Sequence, residues 1–250
     1  MRYIIRRNNR PENTALVRME IATGSLDERD DERGFAHYVE HMAFNGSPNV
    51  PEGEMIKLLE RNGLAVGADT NASTGFERTQ YKLNLPKADP ELLDTALMLM
   101  RETASELTIA EDAVERERGV ILSERRVRNS YSLKNTIDGL EFTYPGSHAS
   151  QRLPIGTIET LEAANAEGLR GFWEREYVPA DTVLVVVGDF DPTIVEEKIR
   201  MRFADWEPAM SPDQPNAGPV DPDYRGETDI YLDPALTETV SLIRHGPYVD

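Results

Sequence analysis

The sequence predicts an α+β fold, a two-layer sandwich in which a mostly antiparallel sheet carries helices packed on one face. Three observations carry this. Ala15–Ala22 and Thr79–Leu85 alternate apolar and polar residues, the period of a strand buried on one side. Thr182–Gly188 (TVLVVVG) is a strand-sized β-branched run of the kind buried on both faces. Between these segments, apolar residues spaced by three and four fall in consecutive blocks rather than in a regular βαβ alternation.

In chain order, the first strand ends at Thr23-Gly24-Ser25, and Leu26–Arg33 is an acidic loop. Gly34–Phe44 has helical spacing, with Phe35, Val39 and Met42 on one face and Asn45-Gly46 as the stop. Pro51 opens a second helix, striped by Met55, Leu58 and Leu59, that closes at Asn62-Gly63. Asp89-Pro90 starts a long helix through Leu93, Leu97 and Met100. Thr108 and Glu111 form a capping box for a helix reaching about Arg128. Pro145 and Pro154 punctuate an irregular stretch, after which Thr157–Glu176 is mostly helical. Pro192 begins a last helix, to Phe203.

Composition changes after Trp206. Five prolines between 208 and 222, among Asn, Gly, Asp and Ser, mark an extended segment without core residues. The expected organisation is therefore a domain over 1–206, a Pro-rich linker over 207–226, and the start of a second, similar domain over 227–250. Strands are expected in that last part at Asp229–Leu232 and Thr239–Ile243, with Asp250 falling one strand into the second unit.

Among 250 residues the net charge is −18, which argues against nucleic acid and anionic membrane surfaces, because both bind through clustered Lys and Arg. No window approaches the roughly 18 apolar residues of a membrane span. Met1–Arg7 has charge but no apolar run behind it, so no signal peptide is expected in this chain. Zero cysteines leave no disulfide, thiolate nucleophile or cysteine-based zinc cluster.

Two of the four histidines lie in His37-Tyr38-Val39-Glu40-His41. Helical spacing places His37 and His41 one turn apart on one face, a bidentate clamp for a metal ion. Glu40 lies beside the same point, where it could take a proton from a water and return it to a leaving amine. Two imidazoles leave a site in need of a third ligand. Glu117 and Glu124, seven residues apart on the capped helix, share a face and are both candidates; helical geometry alone does not choose between them. Solvated i,i+4 pairing with neighbouring arginines competes with either role.

The segments Gly34-Phe-Ala-His-Tyr-Val-Glu-His-Met-Ala-Phe-Asn-Gly-Ser47, Gly67-Ala-Asp-Thr-Asn-Ala-Ser-Thr74, Glu117-Arg-Gly-Val-Ile-Leu-Ser-Glu124 and Val185-Val-Val-Gly-Asp-Phe-Asp191 stand in one order. In that order they resemble the pitrilysin family of zinc metallopeptidases, which includes insulin-degrading enzyme and the mitochondrial processing peptidases. The look is closest to bacterial periplasmic zinc proteases of the group. The resemblance implies one zinc per chain held by His37, His41 and Glu124, with Glu40 as general base and Glu117 behind the ligands. It also implies that Asp69–Ser73 is an edge strand onto which a peptide substrate adds, Asn71, Ala72 and Ser73 being its contacts. From the residues alone, that segment reads as a polar hairpin turn. Arg78 stands where relatives often carry an acidic residue.

The expected activity is zinc-dependent endopeptidase action on peptides or small unfolded proteins, in the bacterial periplasm by resemblance. A second homologous half or subunit is expected to close the site. The alternatives are a peptide- or partner-binding subunit without catalysis, and a chain inactive without its other half.

Overall fold

A computed structural model describes residues 1–65, 67 and 70–207, and beyond them 209, 212, 217–219, 221, 223, 228–232, 234 and 237–243. Among these residues five strands form one sheet in the order β1-β5-β2-β4-β3. They are β1 (Arg2–Arg7), β2 (Ala15–Ile21), β3 (Thr70–Thr74), β4 (Thr79–Leu85) and β5 (Thr182–Gly188). Only the β1–β5 pair is parallel among them; β5, β2, β4 and β3 run antiparallel in succession.

The alternation in the sequence is realised directly. In β2, Ala15, Val17, Met19 and Ile21 are buried, while Leu16, Arg18 and Glu20 between them are half-buried on the other face. Met19 stands between Leu184 of β5 and Tyr81 of β4, so three strands deliver core residues at one level. Among the described residues seven helices pack into the core on this face: α1 (Phe35–Met42), α2 (Glu54–Arg61), α3 (Pro90–Ser105), α4 (Glu111–Arg128), α6 (Ile158–Ala163), α7 (Ala166–Glu176) and α8 (Pro192–Phe203), while α5 (Tyr131–Thr143) buries no residue. Asp-Pro starts work as expected. Asp89 accepts the amides of Glu91 and Leu92 at the head of α3, and Asp191 accepts that of Thr193 at the head of α8.

One expectation about these elements needs correction, and two elements went unread. The Thr108–Glu111 capping box does not form. Ile109, buried and held at φ 44°, turns the chain so that α4 starts two residues later, with Ala110 at its cap. Glu111 instead accepts the Ala166 amide at 3.0 Å, capping α7. Ahead of the irregular stretch at Pro145 and Pro154 lies a helix the sequence reading passed over, α5, which has no buried residue and so no apolar stripe to announce it. β1 also went unread, because Arg2, Arg6 and Arg7 break its pattern.

Beyond Trp206, the amide of His148 donates to the Ala217 carbonyl at 2.7 Å, so this segment meets the loop after α5. Residues 228–232 and 237–243 form no strand, and Ile230, Leu232, Val240 and Leu242 stay exposed without a neighbouring strand to cover them. His245 and Asp69 lie outside the described residues. No helix among the described residues is long and apolar enough to cross a membrane.

Candidate metal centre

The site is built on α1. Gly34 precedes it at φ 97°, a conformation glycine adopts without strain. The same glycine backs onto Gly156, where a Cβ would come within 2.7 Å of the Gly34 Cα. This contact seats the helix start. Phe35, Ala36, Tyr38, Val39 and Met42 are buried, and the Tyr38 hydroxyl donates to the Val114 carbonyl at 2.5 Å, tying α1 to α4. His37 is buried with them, which leaves Glu40 and His41, both half-buried, as the rest of the helix surface.

The two imidazoles stand edge to face, their centroids 4.8 Å apart and their planes at 88°. Glu124 reaches across from α4, with Oε2 3.6 Å from His37 Nε2 and 3.5 Å from His41 Nε2. One ligand atom from each of His37, His41 and Glu124 lies within 4.8 Å of the others. A tetrahedral ion with bonds of about 2.0–2.1 Å holds its ligand atoms roughly 3.3 Å apart, so small side-chain rotations would suffice. The donor set fits a catalytic zinc: two imidazole nitrogens, one carboxylate and a fourth position open. Burial pushes the His37 pKa down to about 3, which keeps its nitrogen lone pair free.

Glu117 has a different position. Its Oε2 meets His41 at Nδ1, 3.0 Å away, on the far side of the ring from Glu124. The hydrogen bond from His41 lowers the Glu117 pKa. Burial would lower the His41 pKa, yet the bond and charge of Glu117, with Glu124 and Glu40, outweigh it and leave it raised. A second carboxylate on the outer nitrogen fixes the tautomer that presents Nε2 to an ion.

Glu40 is half-buried and lines the same depression as His41. Its Oε2 accepts the Thr74 hydroxyl at 2.5 Å, linking α1 to the end of β3. Burial raises its pKa, against the pull of Thr74 and His41. β3 is the sheet's outer strand beside this cleft; Asn71 and Ser73 are exposed and Ala72 is half-buried. The Ala72 N–H donates to Asn71 Oδ1 at 2.9 Å. The depression runs between Glu40, His41, Phe44, Ile56, Asn71 and Ala72. Arg78 lies on the open face of the sheet, 3.9 Å from Glu20.

Two partners of the site were not read from the sequence. Thr74 stood inside a quoted motif without a role. Arg128 binds Glu124 Oε1 at 2.5 Å from one turn further along α4, leaving Oε2 for the imidazoles; its i,i+4 spacing was the available signal.

Comparison with known proteins gives the family. The family model described as Insulinase (Peptidase family M16) matches residues 3–141. The chain belongs to peptidase family M16. A second model of the family, described as the Peptidase M16 inactive domain, matches residues 163–249, although β5 and β1 are adjacent strands of one sheet. Among M16 relatives, the probable zinc protease PqqL of Haemophilus influenzae is 34% identical over 83% of this chain and 22% of its own length. The zinc protease PQQL-like of Arabidopsis thaliana is 32% identical over 87% of this chain and 23% of its own. The chain thus spans under a quarter of these relatives. The first half of the periplasmic protease PqqL from Escherichia coli superposes with a TM-score of 0.83 at 29% identity, covering 88% of this chain and 47% of that one. Pitrilysin, at 22% identity and a TM-score of 0.72, shares the fold.

Proposed function

We propose that this chain is the metal-binding domain of a zinc endopeptidase, with His37, His41 and Glu124 as ligands and Glu40 as general base. One observation carries the reading: two imidazole Nε2 atoms and one carboxylate oxygen converge, and Glu40, the residue before His41 on the same helix, lines the same depression as His41. Zinc bound there supplies Lewis-acid polarisation of the scissile carbonyl and lowers the pKa of an attacking water. Glu40 takes the proton of that water and hands it to the departing amine; a carboxyl pKa raised by burial brings it closer to neutral pH and eases the second transfer. Thr74 holds the Glu40 carboxylate while it waits. Glu117 keeps His41 in one tautomer.

A peptide substrate adds to β3 as a further antiparallel strand, across Asn71, Ala72 and Ser73, which brings its backbone past Glu40. A second homologous half closes the cleft. This is supported by the longer two-part relatives and by apolar residues at 230, 232, 240 and 242 that have no cover here. The division into 1–206, a linker over 207–226 and the start of a second domain from 227 belongs to the same reading. The PqqL structure named as periplasmic supports that location for the whole protein.

Metal content tests the reading. Wild-type protein purified without chelator is expected to hold one zinc per chain. His41→Ala and Glu124→Gln should lose it, and Glu117→Gln should weaken it by about 10–100-fold. Zinc-free wild-type protein would point to a binding subunit instead. A Glu117→Gln loss exceeding that of Glu124→Gln would exchange their roles.

A further inference from the structure

The first turn of α1 has no cap of its own. Gly34 offers no side chain, and the residues before it are a loop with the charged sequence Asp-Glu-Arg-Asp-Asp-Glu-Arg. Four amides at a helix start need acceptors. Two of them find theirs on one side chain of that loop. Glu28 Oε2 accepts the Gly34 N–H and Oε1 accepts the Ala36 N–H, both at 2.9 Å. Glu28 is 4% exposed, so this carboxyl group has left water for that position.

Such a placement is costly unless both oxygens are satisfied. Burial pushes the Glu28 pKa well up, and the two amides with Arg152 pull it back. The loop holding it is clamped on two sides. Arg152 donates from Nε to the Glu28 carbonyl at 3.2 Å and from Nη2 to Asp30 at 2.6 Å. Arg175 grips both oxygens of Glu32, at 3.0 and 2.7 Å. A carboxylate fixed this firmly is a reference point, and His37 is the next residue after Ala36. Each residue advances an α-helix by about 100°, so a slip of one residue in the first turn would swing His37 away from Glu124.

We propose that Glu28 is a positioning residue for the metal clamp: its carboxylate, anchored in the loop before α1, sets the phase of the first helical turn and with it the direction of His37. The proposal rests on the zinc reading for what His37 does, but not for how it is held. Glu28 touches neither ligand nor substrate; it acts through the backbone of α1.

The test uses the complete protein and its Glu28→Gln variant. Glutamine keeps the shape but turns an NH2 group toward an N–H donor, so one of the two amides loses its acceptor. In metal-free protein, amide hydrogen exchange at Gly34 and Ala36 should accelerate while β2 and β4 keep wild-type rates. Zinc affinity, measured against a competing chelator, should fall by about 10–100-fold. Leu97→Ala, which opens a cavity on α3, is the control for stability lost elsewhere: its melting temperature should fall with zinc affinity within twofold of wild type. Should Glu28→Gln not fold, Arg152→Gln, which frees the loop but keeps the carboxylate, should show the same two changes with smaller size. Wild-type exchange in the first turn of the variant that folds overturns the proposal, and so does accelerated exchange with unchanged zinc affinity. Accelerated exchange in a protein whose wild type binds no zinc supports the brace and removes the zinc reading alone.

Discussion

The two outer strands of the sheet are treated in opposite ways. β1 carries Arg2, Arg6 and Arg7, and its parallel partner is β5. β3 carries Thr70-Asn71-Ala72-Ser73-Thr74, short and uncharged, with Thr74 bonded to Glu40. An open edge is a template for another chain, and charge is a common way to blunt it. The same sheet thus guards the edge far from His37 and His41 and leaves bare the edge beside them. Exposure of backbone is a hazard at one side and, in the proposed function, a binding surface at the other.

The largest effect that sharpens this contrast is at Glu40. In the complete protein, Glu40→Gln should retain zinc and fold while peptidase turnover falls by about 10²–10⁴-fold. Undiminished turnover would detach β3 from any chemistry beside it. Next comes the bare edge itself. Ala72→Pro removes an N–H from β3, and loss of one hydrogen bond worth about 0.5–1.5 kcal/mol should raise KM roughly two- to tenfold, with kcat affected less. An unchanged KM with a peptide substrate would mean that the substrate does not add to this strand.

A smaller effect is expected at the guarded edge. Replacing Arg2, Arg6 and Arg7 together by threonine should leave KM unaltered and increase self-association, read by sedimentation velocity. A variant that stays monomeric would remove the guarding role from those arginines. The smallest effect lies where β1 meets α8. The Tyr3 hydroxyl donates to Glu196 at 2.8 Å, and the bonds from Arg200 and Tyr3 hold the Glu196 carboxyl below its ordinary value of 4.5. A depressed carboxylate adds stability above its unfolded pKa and loses it as the pH falls through the folded one. Glu196→Gln should therefore lower the melting temperature slightly at pH 7, with a difference that closes on acidification. A gap that widens toward low pH would contradict that sign.

The legible parts of the molecule are those where one residue's neighbours settle its environment. β2 and β4 were readable because alternate residues face core and solvent, and α3 and α8 because Asp-Pro can open a helix with no help from elsewhere. The His37–His41 pair was readable for the same reason: one helical turn sets its geometry. β3 was a turn by its own residues and a strand only by family resemblance, because Asn71 and Ala72 are of types depleted in strands and it is pairing with β4 that holds the segment extended. The capping box failed because Ile109 takes a backbone conformation that the surrounding packing imposes, which moved Glu111 to the head of another helix.

By itself, the sequence determined the two-layer class, the helix bearing both imidazoles and Glu40, and a shortlist of two carboxylates for the remaining ligand. Those features depend on spacing along a regular element, and spacing is written in the chain. The tertiary structure alone decided which nitrogen each carboxylate meets, Glu124 at the two Nε2 atoms and Glu117 at His41 Nδ1. It also set Thr74 against Glu40 and Glu28 beneath the first turn of α1. Each of these joins residues from different elements, at distances fixed by how helices seat on the sheet, and no local preference encodes that seating.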